Sequence, residues 1–178
     1  MKIPGSFFLV GPMGSGKSTI GRQLAKTLKK DFFDSDWEIE ARTGVDIARI
    51  FHQEGENGFR QREREMIDQL TQQQNIVLAT GGGAILDPEN RKHLASRGLV
   101  IFLHASVKQQ LKRTANDSKR PLLQTDNPKA RLVELMQIRE PLYREAADII
   151  IKTDGNRVRD IIRKIIDQAK RRHPGNCI

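Results

Sequence analysis

Cysteine is nearly absent from this 178-residue chain, which has only Cys177. A lone thiol cannot build a disulfide framework, so the fold must rest on its core, and a reducing cytoplasm is the expected setting. Long apolar runs are missing too. None approaches the ~20 residues that span a bilayer, so no membrane association is expected. Strand-like sequence begins as early as Phe7, which leaves no expectation of a signal peptide. The four histidines, His52, His93, His104 and His173, lack metal-ligand spacing, and structural or surface roles are expected of them. Aromatic residues make up 5% of the chain, too sparse for the stacking platforms of nucleic-acid binders. Repeats, low-complexity tracts and interior linkers are also missing, so 1–178 reads as one domain.

Basic residues, by contrast, are in excess: 31 Lys and Arg against 22 Asp and Glu, a net charge of +9. The charges are interleaved, as in Arg60-Gln61-Arg62-Glu63-Arg64-Glu65, and dense only in Lys170-Arg171-Arg172-His173. A solvated surface serving small anionic substrates explains this better than a nucleic-acid partner, which is not expected.

The most specific feature is Gly11-Pro12-Met13-Gly14-Ser15-Gly16-Lys17-Ser18-Thr19. It fits G-x-x-x-x-G-K-[ST], the phosphate-binding P-loop. The apolar run Phe7-Phe8-Leu9-Val10 precedes it as a buried strand should, and Ile20, Leu24 and Leu28 follow at helical spacing. Glycines at 11, 14 and 16 let backbone N–H groups and the helix N-terminus approach a polyphosphate. Lys17 can reach the β- and γ-phosphates and the Ser18 hydroxyl can ligate Mg²⁺. A nucleoside triphosphate is therefore the expected ligand.

Strands are predicted at 7–10, 32–33, 76–79, 99–103 and 149–151. Helices are predicted after the P-loop, around Trp37 and Ile39 as far as Gly44, and at 47–51 behind an Asp46 cap. Further helices are predicted at 59–70, 88–97, 107–114, from Pro128 towards Arg144, and at 158–169. Alternating strands and helices imply a parallel five-stranded sheet covered on both faces, a three-layer α/β/α fold. The polar stretch 115–127 between two helices reads as a lid.

Ligands of open parallel sheets gather beyond the carboxyl ends of the strands. The unusual residues fall there: the P-loop after strand one, Asp34 and Asp36 after strand two, Gly81-Gly82-Gly83 after strand three. In an extended segment Asp34 and Asp36 would share a face, one supporting Mg²⁺ through water, the other accepting a hydroxyl proton. Strand three does not end in the aspartate that usually supports Mg²⁺, and Asp34 is the substitute. The triple glycine would act through its N–H groups and its lack of Cβ atoms. Arg60, Arg120 and Arg139 can bind carboxylate or phosphate as planar forks, and Arg120 in the lid is placed to clamp the γ-phosphate.

Taken together, the P-loop, Asp34-Ser35-Asp36, Phe59-Arg60-Gln61-Arg62-Glu63, Gly81-Gly82-Gly83, Arg120-Pro121-Leu122-Leu123 and Arg139-Glu140-Pro141-Leu142-Tyr143 resemble the shikimate kinase family over nearly the whole chain. The resemblance implies ATP- and Mg²⁺-dependent phosphorylation of the shikimate 3-hydroxyl, towards aromatic amino acids. It also implies a nucleoside-monophosphate-kinase-like fold with sheet order 2-3-1-4-5. By the same resemblance Asp36, Lys17 and Arg120 are catalytic, while Gly14, Ser15, Gly16, Lys17, Ser18, Thr19, Arg113, Arg120 and Arg157 bind ATP. Shikimate binding falls to the region of about 34–63, with Asp36 and Arg60, and to Gly81, Gly82, Gly83 and Arg139 further along the chain. Ser18 and Asp34 hold the metal. Glu63, one turn from Arg60, would orient that guanidinium. A cytoplasmic monomer is expected. Another small-metabolite kinase, such as a gluconate or nucleotide kinase, and a nucleotide-dependent regulatory protein are the competing readings.

Overall fold

A computed structural model of the chain describes residues 5–115 and 123–172. Five strands alternate with seven helices: β1 Phe7–Val10, α1 Lys17–Leu28, β2 Asp31–Asp34, α2 Ser35–Thr43, α3 Ile47–Thr71 and β3 Ile76–Ala79. Then follow α4 Pro88–Arg97, β4 Leu99–His104, α5 Val107–Thr114, α6 Pro128–Ala146, β5 Ile149–Lys152 and α7 Val158–Arg172. All neighbouring strands are parallel, in the order β2-β3-β1-β4-β5, as the resemblance implied.

The two-residue period of a strand divides its side chains between the two layers. Phe7, Leu9, Val77, Ile101 and Leu103 face a cluster closed by Leu24 and Leu28 of α1 and Ile161 and Ile165 of α7. Phe8, Val10, Leu78, Val100 and Phe102 face the other, closed by Ile67 of α3, Leu94 of α4 and Tyr143 of α6. Covering on both faces is why these strands read as unbroken apolar runs. Burial of each such side chain contributes roughly 1.5–3 kcal/mol. Edge strand β5 alternates instead, with Ile150 exposed. Among the described residues, no helix is long and apolar enough to cross a membrane.

One local expectation is corrected. Residues 34–36 are not extended: Asp34 ends β2 and Ser35 begins α2, with the Asp34 side chain accepting from Asp36 N–H as the N-cap. The predicted helices at 47–51 and 59–70 are the two runs of α3, separated by a kink at Gly55, where φ is 71° and ψ is −179°. Glycine adopts that conformation without steric cost, so the chain resumes its helix at the next residue. Most of the predicted lid, Arg120 included, lies outside the described residues. Within its described C-terminal part, 123–127, Leu123 packs against Met13, Leu132 and Leu135.

Candidate functional site

Parallel register brings Val10, Asp34 and Ala79 to the same edge of the sheet, so their following loops surround one cleft. Gly14, Gly16, Lys17, Ser18, Thr19, Asp34, Asp36, Thr80, Gly81, Gly82 and Arg113 line it. Ten of these eleven are site residues expected from sequence; Thr80 is the exception, and Asp36 and Asp34 arrive by a different backbone path than expected.

The P-loop side begins at Gly11, whose φ of 145° presses it against β4; a Cβ there would lie 2.5 Å from the Leu103 carbonyl oxygen. At Gly16 the chain is left-handed and opens α1, so the helix N-terminus meets the cleft. Lys17 is nearly buried, and its ammonium donates to the carbonyls of Gly11 (2.8 Å) and Pro12 (2.9 Å), lying across its own loop. Ser15 is fully buried beneath it. Arg113 of α5 donates to the Gly14 carbonyl (2.8 Å) and to Thr153 Oγ1 (3.3 Å), tying the P-loop to the end of β5. Arg157 stands exposed at the start of α7.

Asp34 serves two neighbours at once. Its Oδ2 accepts from the Ser18 hydroxyl at 2.5 Å, and its Oδ1 caps α2. Asp34 thus caps α2 with one oxygen and keeps the other turned to Ser18. Capping turns Asp36 into the first turn of α2, where it faces the same cleft.

The triple glycine shows why side chains are excluded. The Gly81 N–H is already bonded to Ser35 Oγ (3.0 Å), and a Cβ on Gly81 would lie 2.5 Å from Glu63 Oε1 and 2.8 Å from Asp36 Oδ1. A Cβ on Gly83 would overlap the Arg60 guanidinium. Gly82 has more space: a Cβ there would lie 3.5 Å from the Gly11 carbonyl oxygen and 3.7 Å from Arg139 Nη1, and the Gly82 carbonyl accepts from the Tyr143 hydroxyl. Neither Ser35 nor Tyr143 was singled out as a site residue in the sequence. Tyr143 carried a signal, its place in the motif that begins at Arg139. It is fully buried, stacked on Phe102 with centroids 4.9 Å apart.

Arg60, Arg139 and Glu63 form a buried charge group behind the glycines. Arg60 donates to Glu63 Oε2 at 2.5 Å, as the one-turn spacing predicted. On its other edge it donates from Nε (3.3 Å) and Nη2 (3.2 Å) to Glu56 Oε1. Burial pushes the Glu63 carboxyl above the usual carboxylate range, against the pull of Arg60 and Arg139. Burial works against the charge of Arg60, but Glu63 and Glu56 outweigh it and raise the guanidinium further. Arg139, only 4% exposed, is lowered chiefly by burial. Burial likewise raises the Tyr143 phenol, which stays a neutral donor. Among the described residues Arg139 Nε has no hydrogen-bond partner, and such an orphaned buried donor calls for an acceptor.

The cleft thus has the P-loop on one side and Asp36, Gly81 and Gly82 on the other, while Arg60 and Arg139 lie behind the glycines, outside its lining. The family model for shikimate kinase matches residues 13–170. A shikimate kinase of Thioalkalivibrio sulfidiphilus is 59% identical over 93% of this chain and 85% of its own. One of Methylococcus capsulatus is 56% identical over 91% and 90%. Among solved structures, the shikimate kinase from Acinetobacter baumannii in complex with shikimate superposes with a TM-score of 0.92 at 46% identity, covering 98% of this chain and 96% of that one. With the P-loop, the acidic β2 end and the glycine-backed arginines in their places, the chain belongs to the shikimate kinase family.

Proposed function

We propose that the cleft transfers the γ-phosphoryl group of ATP to the 3-hydroxyl of shikimate, giving ADP and shikimate 3-phosphate. The observation that carries this is the apposition of Lys17, Ser18 and Asp34 to Asp36 and Gly82 across one cleft. Arg60 and Arg139 grip the shikimate carboxylate, for which a planar fork is the best-matched partner. Asp36 orients the hydroxyls and takes the proton as the new O–P bond forms and the bond to the ADP oxygen breaks. Lys17 leaves the carbonyls of its loop to neutralise charge on the transferring group, with Arg120 as a second cation. Arg113 and Arg157 flank the adenine, and Gly14 to Thr19 present N–H groups to the phosphates.

The residues present fit Mg²⁺. Ser18 and Asp34 offer hard oxygen donors, and a cation that keeps several waters and phosphate oxygens needs no larger carboxylate cage. When bound there it would screen the β- and γ-phosphate oxygens. The enzyme is proposed to act as a cytoplasmic monomer on these small molecules alone. Coupled ADP release with Mg²⁺ and ATP, tested in parallel on shikimate, gluconate and nucleoside monophosphates, checks the acceptor. Turnover confined to shikimate is expected; turnover confined to another acceptor would overturn the assignment.

A further inference from the structure

The charge count at Arg60 does not fit a ready carboxylate site. Two guanidiniums, Arg60 and Arg139, are matched by two carboxylates, Glu56 and Glu63. Glu63 holds Arg60 Nη1, while Glu56 Oε1 bridges Nε and Nη2, an edge through which arginine binds a carboxylate side-on. A substrate carboxylate added to this neutral group would find no net positive charge to attract it and an occupied donor edge.

The two acids differ in their freedom to leave. The Glu63 side chain is 1% exposed, whereas that of Glu56 is 46% exposed. Glu56 also directly follows the Gly55 break, so it starts the second helical run of α3 and lies one turn before Arg60. A Cβ at Gly55 would meet nothing within 4 Å, so packing does not require glycine there; the φ of 71° does. The break therefore sets where this acid falls relative to Arg60.

We infer that Glu56 is a displaceable stand-in for the substrate carboxylate. It holds Arg60 extended beneath the glycines while the acceptor site is empty of substrate, and yields Nε and Nη2 when a carboxylate ligand enters. Glu56 thereby sets both the affinity for carboxylate-bearing acceptors and the threshold that weaker anions must exceed. The inference rests on the proposed role of Arg60 in gripping the acceptor carboxylate.

Glu56→Gln keeps the shape and removes the charge. The expected result is a two- to fivefold lower KM for shikimate, with KM for ATP unmoved. Fivefold equals about 1 kcal/mol at ~1.4 kcal/mol per tenfold, the upper size of an exposed ion pair. Glu56→Ala, which cannot donate to a ligand, should shift KM in the same direction. Calorimetric titration with the carboxamide analogue of shikimate supplies the discriminating readout, because its neutral group should bind wild type and Glu56→Gln alike. An unchanged or raised KM for shikimate in both variants would overturn the inference and make Glu56 a positioning or idle residue. If the wild-type protein turned over gluconate but not shikimate, the acceptor assignment would fall, and this inference with it. Normal wild-type turnover of shikimate with unchanged variant KM would refute the stand-in alone.

Discussion

Gly81→Ala isolates the spatial role of the triple glycine, since it adds one methyl group, changes no charge and leaves the bond from the residue 81 N–H to Ser35 Oγ available. The new Cβ would lie 2.5 Å from Glu63 Oε1 and 2.8 Å from Asp36 Oδ1, where ordinary contact begins at 3.4 Å. Glu63 Oε1 must therefore recede by 0.9 Å (3.4 less 2.5) and Asp36 Oδ1 by 0.6 Å (3.4 less 2.8). Glu63 is fully buried and its other oxygen is held by Arg60, so its retreat drags the guanidinium with it. Misplacing a reacting group by about 1 Å costs on the order of 10²-fold. A fall in kcat/KM of roughly ten- to a hundredfold is expected, or about 1.4–2.7 kcal/mol of transition-state stabilisation. Overpacking should also cost about 1–3 kcal/mol of stability, lowering Tm by roughly 2–12 °C for a chain of this size. The coupled ADP assay at saturating ATP and a thermal melt measure the two effects. Wild-type kcat/KM with a wild-type melt would refute the claim that Gly81 makes room for the two carboxylates.

Other residues give separable outcomes. Asp36→Asn should lower kcat by about 10²–10⁴-fold, the range of a general base, with ATP binding retained in a calorimetric titration. Asp34→Ala removes both the α2 cap and the partner of Ser18. It should cost about 0.5–2 kcal/mol in a denaturant melt and raise the Mg²⁺ concentration needed for half-maximal turnover. Arg139→Ala should raise KM for shikimate by roughly tenfold or more, as expected for a charge-assisted hydrogen bond of ~1.5–3 kcal/mol, while KM for ATP stays put. Tyr143→Phe leaves the Gly82 carbonyl without its buried donor. A loss of about 1–3 kcal/mol follows, seen as a lower Tm together with a higher KM for shikimate.

How much of this could be read from the chain follows from the range of each interaction. The P-loop, the strand alternation and the helix cap at Asp46 depend on neighbours within a few residues, so the sequence alone determined that five strands alternate with helices and that the first of them delivers a phosphate-binding loop. Glu63 paired with Arg60 for the same reason, being one turn away. Asp34 shows where local reading falls short. Spacing suggested an extended pair of carboxylates, yet the Asp34 carboxylate accepts from Asp36 N–H on one oxygen and from Ser18, sixteen residues earlier, on the other, a pairing that only the fold brings about.

Tertiary structure alone decided what the glycines are for. Nothing near Gly81 and Gly83 in the sequence says that Glu63, Asp36 and Arg60 will crowd the space their Cβ atoms would fill. Nor does it say that Tyr143, sixty-one residues on, will hold the Gly82 carbonyl, or that Glu56 will sit on the edge of Arg60. The sequence carried the chemistry because its motifs are local. The site's geometry came from the fold because parallel crossovers bring together residues that share no local contact.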